Sequence, residues 1–201
     1  MCECDEYNEE KGGEIGRPGA RQQMYDYVNM GGKIFATHFH YTWFKNSPQG
    51  DWQSIANWGS GGGGGVGAVH DIDMSFPKGQ AFGEWLFNTN ASTTLGKISL
   101  TEIRDSLSTV NAPAQSWITQ GANKVRYFSF NAPTSAPPED QCGRSVFSDL
   151  HVTGMSAGGG NFPNGCPAAG GLSAQQKALE FLFFDLSACV QGDDTPPEPP
   201  K

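Results

Sequence analysis

The hydrophobic positions change period along the chain, and the changes mark its elements. After Pro18, Ala20, Met24, Tyr27 and Val28 recur on one helical face through Met30, and Gly31-Gly32 ends the run. Residues 33–41, Lys-Ile-Phe-Ala-Thr-His-Phe-His-Tyr, are dense in β-branched and aromatic side chains and predict a strand too apolar for a sheet edge. Helix, paired glycines and apolar strand make half of an α/β crossover, which predicts a largely parallel sheet with helices on both faces. A second helix is expected from Pro77 through Phe82, Trp85 and Leu86, and a third over part of residues 99–110. Two more strands are expected at 125–131, where alternation is regular, and at 145–152. Ser173 and Gln176 form a capping box that opens a last helix to Cys189. Ala178, Leu179, Phe181, Leu182, Phe183, Phe184 and Leu186 make that helix apolar nearly all round and predict its burial.

Between these elements lie long glycine-rich loops. Residues 45–69, with Pro48 and the run Gly61 to Gly65, read as a lid or an insertion, and 154–171 as a second loop. The acidic residues 1–17 predict an N-terminal loop and residues 191–201 a Pro-rich linker, as in a chain cut from something longer. A single α/β domain over 18–190 remains.

Charge and cysteines narrow the class. A formal charge of −8 lacks the basic surface that a phosphate-backbone binder needs, so nucleic acid is excluded as a partner. No run of about 18 apolar residues is present, so no membrane span is expected. The five cysteines, at 2, 4, 142, 166 and 189, form no CxxC pair; two disulfides and one thiol, in an extracytoplasmic setting, are the expectation. The pairings expected are Cys142 with Cys166, and an N-terminal cysteine with Cys189.

The candidate chemistry lies at strand ends. His38 and His40, two apart on a strand, share a face and could present both imidazoles to one metal ion, although a histidine pair in an aromatic strand also serves core packing. Asp149 and His151 repeat the arrangement on another strand. In open α/β sheets ligands bind beyond the strands' carboxyl ends, where both clusters fall. His70 and Asp71 read as a solvated turn able to swing towards that place, as a proton shuttle. Tyr41, Trp43, Trp52 and Trp58 could form a stacking platform for sugar rings or close over the loop's own core. The glycine run has no Lys-Ser/Thr after it and is no phosphate loop, and the chain has no Gly-x-Ser-x-Gly elbow.

Two segments, Tyr-Val-Asn-Met-Gly-Gly-Lys-Ile-Phe-Ala-Thr-His at 27–38 and Cys-Gly-Arg-Ser-Val-Phe-Ser-Asp-Leu-His at 142–151, resemble the class I glutamine amidotransferase-like superfamily, nearest its trehalose-utilisation (ThuA-like) branch. The pattern is also similar to secreted bacterial domains. The resemblance covers roughly residues 20–40 and 142–190. It implies a flavodoxin-like sheet with the site at the strand ends, His38 where an amidotransferase places its nucleophilic cysteine and His151 where its catalytic histidine stands. Against that family the expectation is a domain without its front strands, either the second part of a longer domain or a reduced version of it. With no cysteine at the elbow and Thr153 in place of the glutamate after His151, glutamine hydrolysis is not expected.

The reading is a secreted bacterial domain in which His38, Asp149 and His151 are catalytic. His38, His40 and His151 would hold zinc or copper, and Tyr41, Trp43, His70 and Asp71 would meet a carbohydrate. The alternative is a non-catalytic interaction module of a larger cell-surface protein.

Overall fold

The computed structural model describes residues 19–59, 64–65, 67–152 and 171–196. It is an α/β fold whose main sheet holds six strands in the order β1-β10-β9-β8-β4-β5. These are β1 (Lys33–Thr37), β4 (Ala68–Ile72), β5 (Lys97–Leu100), β8 (Gln115–Thr119), β9 (Val125–Ala132) and β10 (Gly143–Ser148). Two small sheets pair β2 (Ala56–Trp58) with β7 (Leu107–Val110) and β3 (Gly64–Gly65) with β6 (Ile103–Arg104).

The expectation of a largely parallel sheet is corrected. Among the described residues only β1 and β10 run parallel, Lys33 opposite Arg144 through Thr37 opposite Ser148, and every other pairing of the main sheet is antiparallel. Connection length is the reason. Residues 120–124 join β8 to β9 and residues 133–142 join β9 to β10, too short for the dozen or more residues of a parallel crossover.

Helices cover both faces. On one, α1 (Ala20–Asn29), α2 (Tyr41–Lys45) and α3 (Gly50–Gln53) bury Val28, Tyr41, Phe44 and Trp52 against Val125, Phe128, Phe130 and Phe147 of the sheet. On the other, α4 (Pro77–Asn88) and α5 (Ala174–Ser187) bury Phe82, Leu86, Ala178, Leu182 and Leu186 against Ile98, Trp117, Tyr127 and Val146. The apolar stripe of α5 is narrower than its composition predicts: Ala178, Leu182 and Leu186 repeat every four residues into the core, while Phe184 is 61% exposed. The predicted capping box is present, Ser173 Oγ accepting from the Gln176 amide at 3.2 Å and Gln176 Oε1 from the Ser173 amide at 2.8 Å.

Three further expectations change. No helix forms over 99–110; β5, β6 and β7 lie in and just before that stretch. Ile98 and Leu100 are buried on either side of exposed Ser99, a period of two rather than 3.6. β1 is an edge strand despite its apolar sequence. Its side chains are sheltered instead by helices above and below, as where Phe35 meets Phe183 at 4.8 Å between ring centroids. Finally, residues 191–194 are not linker, because Asp193 is drawn onto the sheet by Arg144 at 2.7 Å, and Gln191 O accepts from Asn131 Nδ2 at 3.0 Å.

Candidate functional site

The apolar run of β1 stops at Thr37, whose backbone is still extended, and the chain turns at His38 with φ +41° into a short 3₁₀ turn, His38–His40, and then α2. A non-glycine residue in this left-handed region stores strain on the order of 1 kcal/mol, and such strain clusters at functional sites. The turn is locked by Thr37 and His40. His40 Nδ1 lies 2.8 Å from Thr37 O and 3.3 Å from the Thr37 amide, so one nitrogen of His40 is committed to the cap.

Next to this elbow, β10 runs parallel to β1 and delivers the segment that carries His151. The His151 amide donates to Glu102 O at 2.9 Å, and its carbonyl accepts from Gln175 Nε2 at 2.5 Å. Gln175 is itself anchored, Oε1 accepting from the Thr101 amide at 2.9 Å and Nε2 donating to Glu102 O at 2.6 Å. The first turn of α5 therefore sets the position of His151. Sequence reasoning missed Gln175, since its neighbour Gln176 carries the capping signal and nothing in the pattern singles out 175.

The result is a pair of imidazoles. The His38 and His151 rings stand 5.1 Å apart between centroids, inclined at 58°. A cleft of about 290 Å³, lined by Phe35, Thr37, Leu150, His151, Val152 and Leu179, opens beside His151. His38 is buried and His151 half-buried.

The other predicted site residues are placed elsewhere. His40 lines a separate groove on the α1 side with Met24, Tyr27, Ile34 and Trp43. Among the described residues no three His, Cys, Asp or Glu side chains are grouped to share a metal ion. Tyr41 and Trp52 are fully buried and Trp43 nearly so. Phe44 stacks on Trp52 at 5.4 Å and on Trp58 at 5.8 Å, so the aromatic group is core packing rather than an exposed sugar platform. His70 and Asp71 are no turn: both belong to β4, with His70 fully buried and Asp71 paired to Lys97 across the strand. Their hydrophobic neighbours Ile72 and Ile98 make this segment sheet, a pull that the flanking Asp and Gly residues concealed.

Asp149 is also withdrawn from solvent. Its fully buried carboxylate accepts from the Ser106 amide at 2.7 Å and from Ser106 Oγ at 2.6 Å, clasping the β6–β7 connection to the end of β10. Burial, working against those hydrogen bonds, pushes its pKa up to about 6. Burial lowers the pKa of His70 below the usual histidine value, and its Nε2 accepts from Arg126 Nε at 3.4 Å.

The two groups give opposite pH dependences. Between roughly pH 4 and 6 the folded chain holds a proton on Asp149 that the unfolded chain releases, so the Asp149 contribution falls as pH rises. His70 is held neutral in the fold, so its contribution is lost as pH falls below about 6.5. Asp149→Asn is therefore expected to be more stable than wild type at pH 8, by up to about 3 kcal/mol, and to lose stability more steeply on acidification to pH 4. Urea unfolding across this range measures both; a variant less stable than wild type at pH 8 would contradict the assignment.

Among the described residues no helix is long and apolar enough to cross a membrane. Cys142 and Cys189 are exposed free thiols, and Cys2, Cys4 and Cys166, their expected partners, lie outside the described residues. No protein-family model matches the chain, and neither does any curated protein or solved structure.

Proposed function

We propose that this chain is an amidotransferase-like domain of the trehalose-utilisation type, its flavodoxin-like half reduced to the β1–β10 parallel pair, and that His38 and His151 form a site for a divalent metal ion. The elbow at His38 supports this reading most directly. The chain departs from relaxed backbone at one strand end, φ +41°, and there it sets a buried imidazole against the imidazole from the neighbouring parallel strand.

The spacing suits zinc or copper. An ion about 2.1 Å from one nitrogen of each ring, with tetrahedral angles, sets the two centroids about 5 Å apart, against the 5.1 Å observed. With two protein ligands the remaining positions stay open to water and to a hydroxyl-rich ligand, such as a carbohydrate, entering the cleft at Leu150, His151 and Val152. His40, with one nitrogen committed to Thr37, is outside this set, and Asp149 acts as a clasp behind it. No cysteine stands at the elbow, so the site is not a glutaminase. The secreted setting and the carbohydrate partner belong to this proposal.

Titration of chelator-treated protein with zinc and with copper tests it. Wild type is expected to take up about one equivalent at the site, and His151→Ala to lose at least tenfold in affinity. Equal uptake by wild type and variant, or none by wild type, would overturn the metal assignment. The second reading is a non-catalytic interaction module. Under it neither protein binds metal.

A further inference from the structure

The cysteines point to a cross-link different from the one the sequence suggests. Cys142 immediately precedes β10, at the end of the sheet opposite His151. Cys166, the partner expected for Cys142, lies outside the described residues.

Cys189, by contrast, comes to the Cys142 end of the sheet. The last turn of α5 is tied to β1, with Lys33 Nζ donating to Ala188 O, while two residues beyond Cys189 the Gln191 carbonyl accepts from Asn131 of β9 at 3.0 Å. Lys33 and Asn131 are the two partners of Arg144 in the sheet, one on each side. Cys189, between their contacts, thus lies over β10 itself. The face agrees as well. A Cβ on Gly143 would point into Val28 of α1, so alternation turns Arg144 towards α5, where it meets Asp185 at 2.7 Å, and Cys142 shares that face. Both thiols are exposed, and Cys189 follows the end of the helix.

We propose that Cys142 and Cys189 form a disulfide that fastens the end of α5 and the Asp193 segment to the start of β10. The step is thiol–disulfide exchange with a small-molecule disulfide such as oxidised glutathione. One protein thiolate attacks it, forming a mixed disulfide and releasing one glutathione thiolate. The second protein thiolate then attacks the protein sulfur and displaces the other glutathione. The two cysteines lose two electrons and two protons, and one glutathione disulfide becomes two thiols.

The full chain, incubated with oxidised glutathione, alkylated and digested without reduction, tests the pairing by mass spectrometry. A linked peptide pair containing Cys142 and Cys189 is expected, with a Tm rise of about 10 °C over the reduced chain. That rise should vanish in both Cys142→Ser and Cys189→Ser and persist in Cys166→Ser. A Cys142–Cys166 peptide, or Cys142 and Cys189 recovered only as glutathione adducts or free thiols, would overturn the proposal. Because both cysteines are exposed, the serine variants are expected to fold, and their reduced forms should melt with reduced wild type.

Discussion

Arg144→Met is expected to cost about 3–5 kcal/mol, more than its apolar replacement would recover by packing. Arg144 is 1% exposed and is the hub of the polar network under α5. Its Nη2 lies 2.7 Å from both Asp185 Oδ2 and Asp193 Oδ1 and 3.1 Å from Ser129 Oγ, while Nη1 donates to Asn131 Oδ1 at 2.8 Å. Without the guanidinium, two carboxylates face one ammonium, Lys78 Nζ, at 2.9 and 3.6 Å. An uncompensated charge is then held in a site from which water is largely excluded, which is why breaking one side of such a network costs more than removing it whole. Arg144→Met combined with Asp193→Asn should be less destabilised than the sum of the two single variants. Denaturant unfolding of the four proteins measures this; additive losses would show that the network does not act as a unit.

Gly143→Ala is expected to be as severe, by a different route. A Cβ at 143 would stand 1.8 Å from the Val28 carbonyl oxygen and 2.8 Å from its carbon, which are backbone atoms of α1 and not the movable tip of a side chain. The glycine lets the helix lie directly on β10. Relief requires α1 to lift away from the sheet and to uncover Val28, which is fully buried. Overpacking of flexible cores costs about 1–3 kcal/mol, and a rigid backbone neighbour places this case above about 3 kcal/mol. Circular dichroism during thermal unfolding checks it: a Tm within a few degrees of wild type would mean that α1 does not rest on β10 as described.

The elements that read well from the sequence were those whose signals are local. Gly31-Gly32 ends α1 and opens β1, and the Ser173–Gln176 capping box opens α5, because each depends on residues within one turn. What the sequence concealed depended on partners far along the chain. β4 looked like a turn because Asp71 and Asp73 flank Ile72, and only its pairing with β5 and β8 makes it an inner strand. β1 looked like an interior strand because its side chains are apolar, yet its burial comes from helices, and among the described residues no strand pairs with its outer edge. The aromatic residues after His40 carried no mark distinguishing a binding platform from a core, and Phe44 settles the question by stacking between Trp52 and Trp58. Of the candidate site, the meeting of His38 and His151 was legible, since both stand just past strand ends that a parallel pairing brings together. The roles of His40 and Asp149 were not, because capping by Thr37 and clasping by Ser106 are set by side-chain geometry that spacing does not encode.

The central claim is that backbone strain at His38 is maintained for the sake of the imidazole it presents. His38→Asn tests this most directly, because asparagine accepts a positive φ more readily than other non-glycine residues while removing the ring. The account predicts a variant within about 1 kcal/mol of wild-type stability, strain relief offsetting the lost packing, whose zinc and copper uptake falls at least tenfold. A variant that binds metal as wild type does, or that unfolds several kcal/mol more easily, would show that His38 serves the core and not a site.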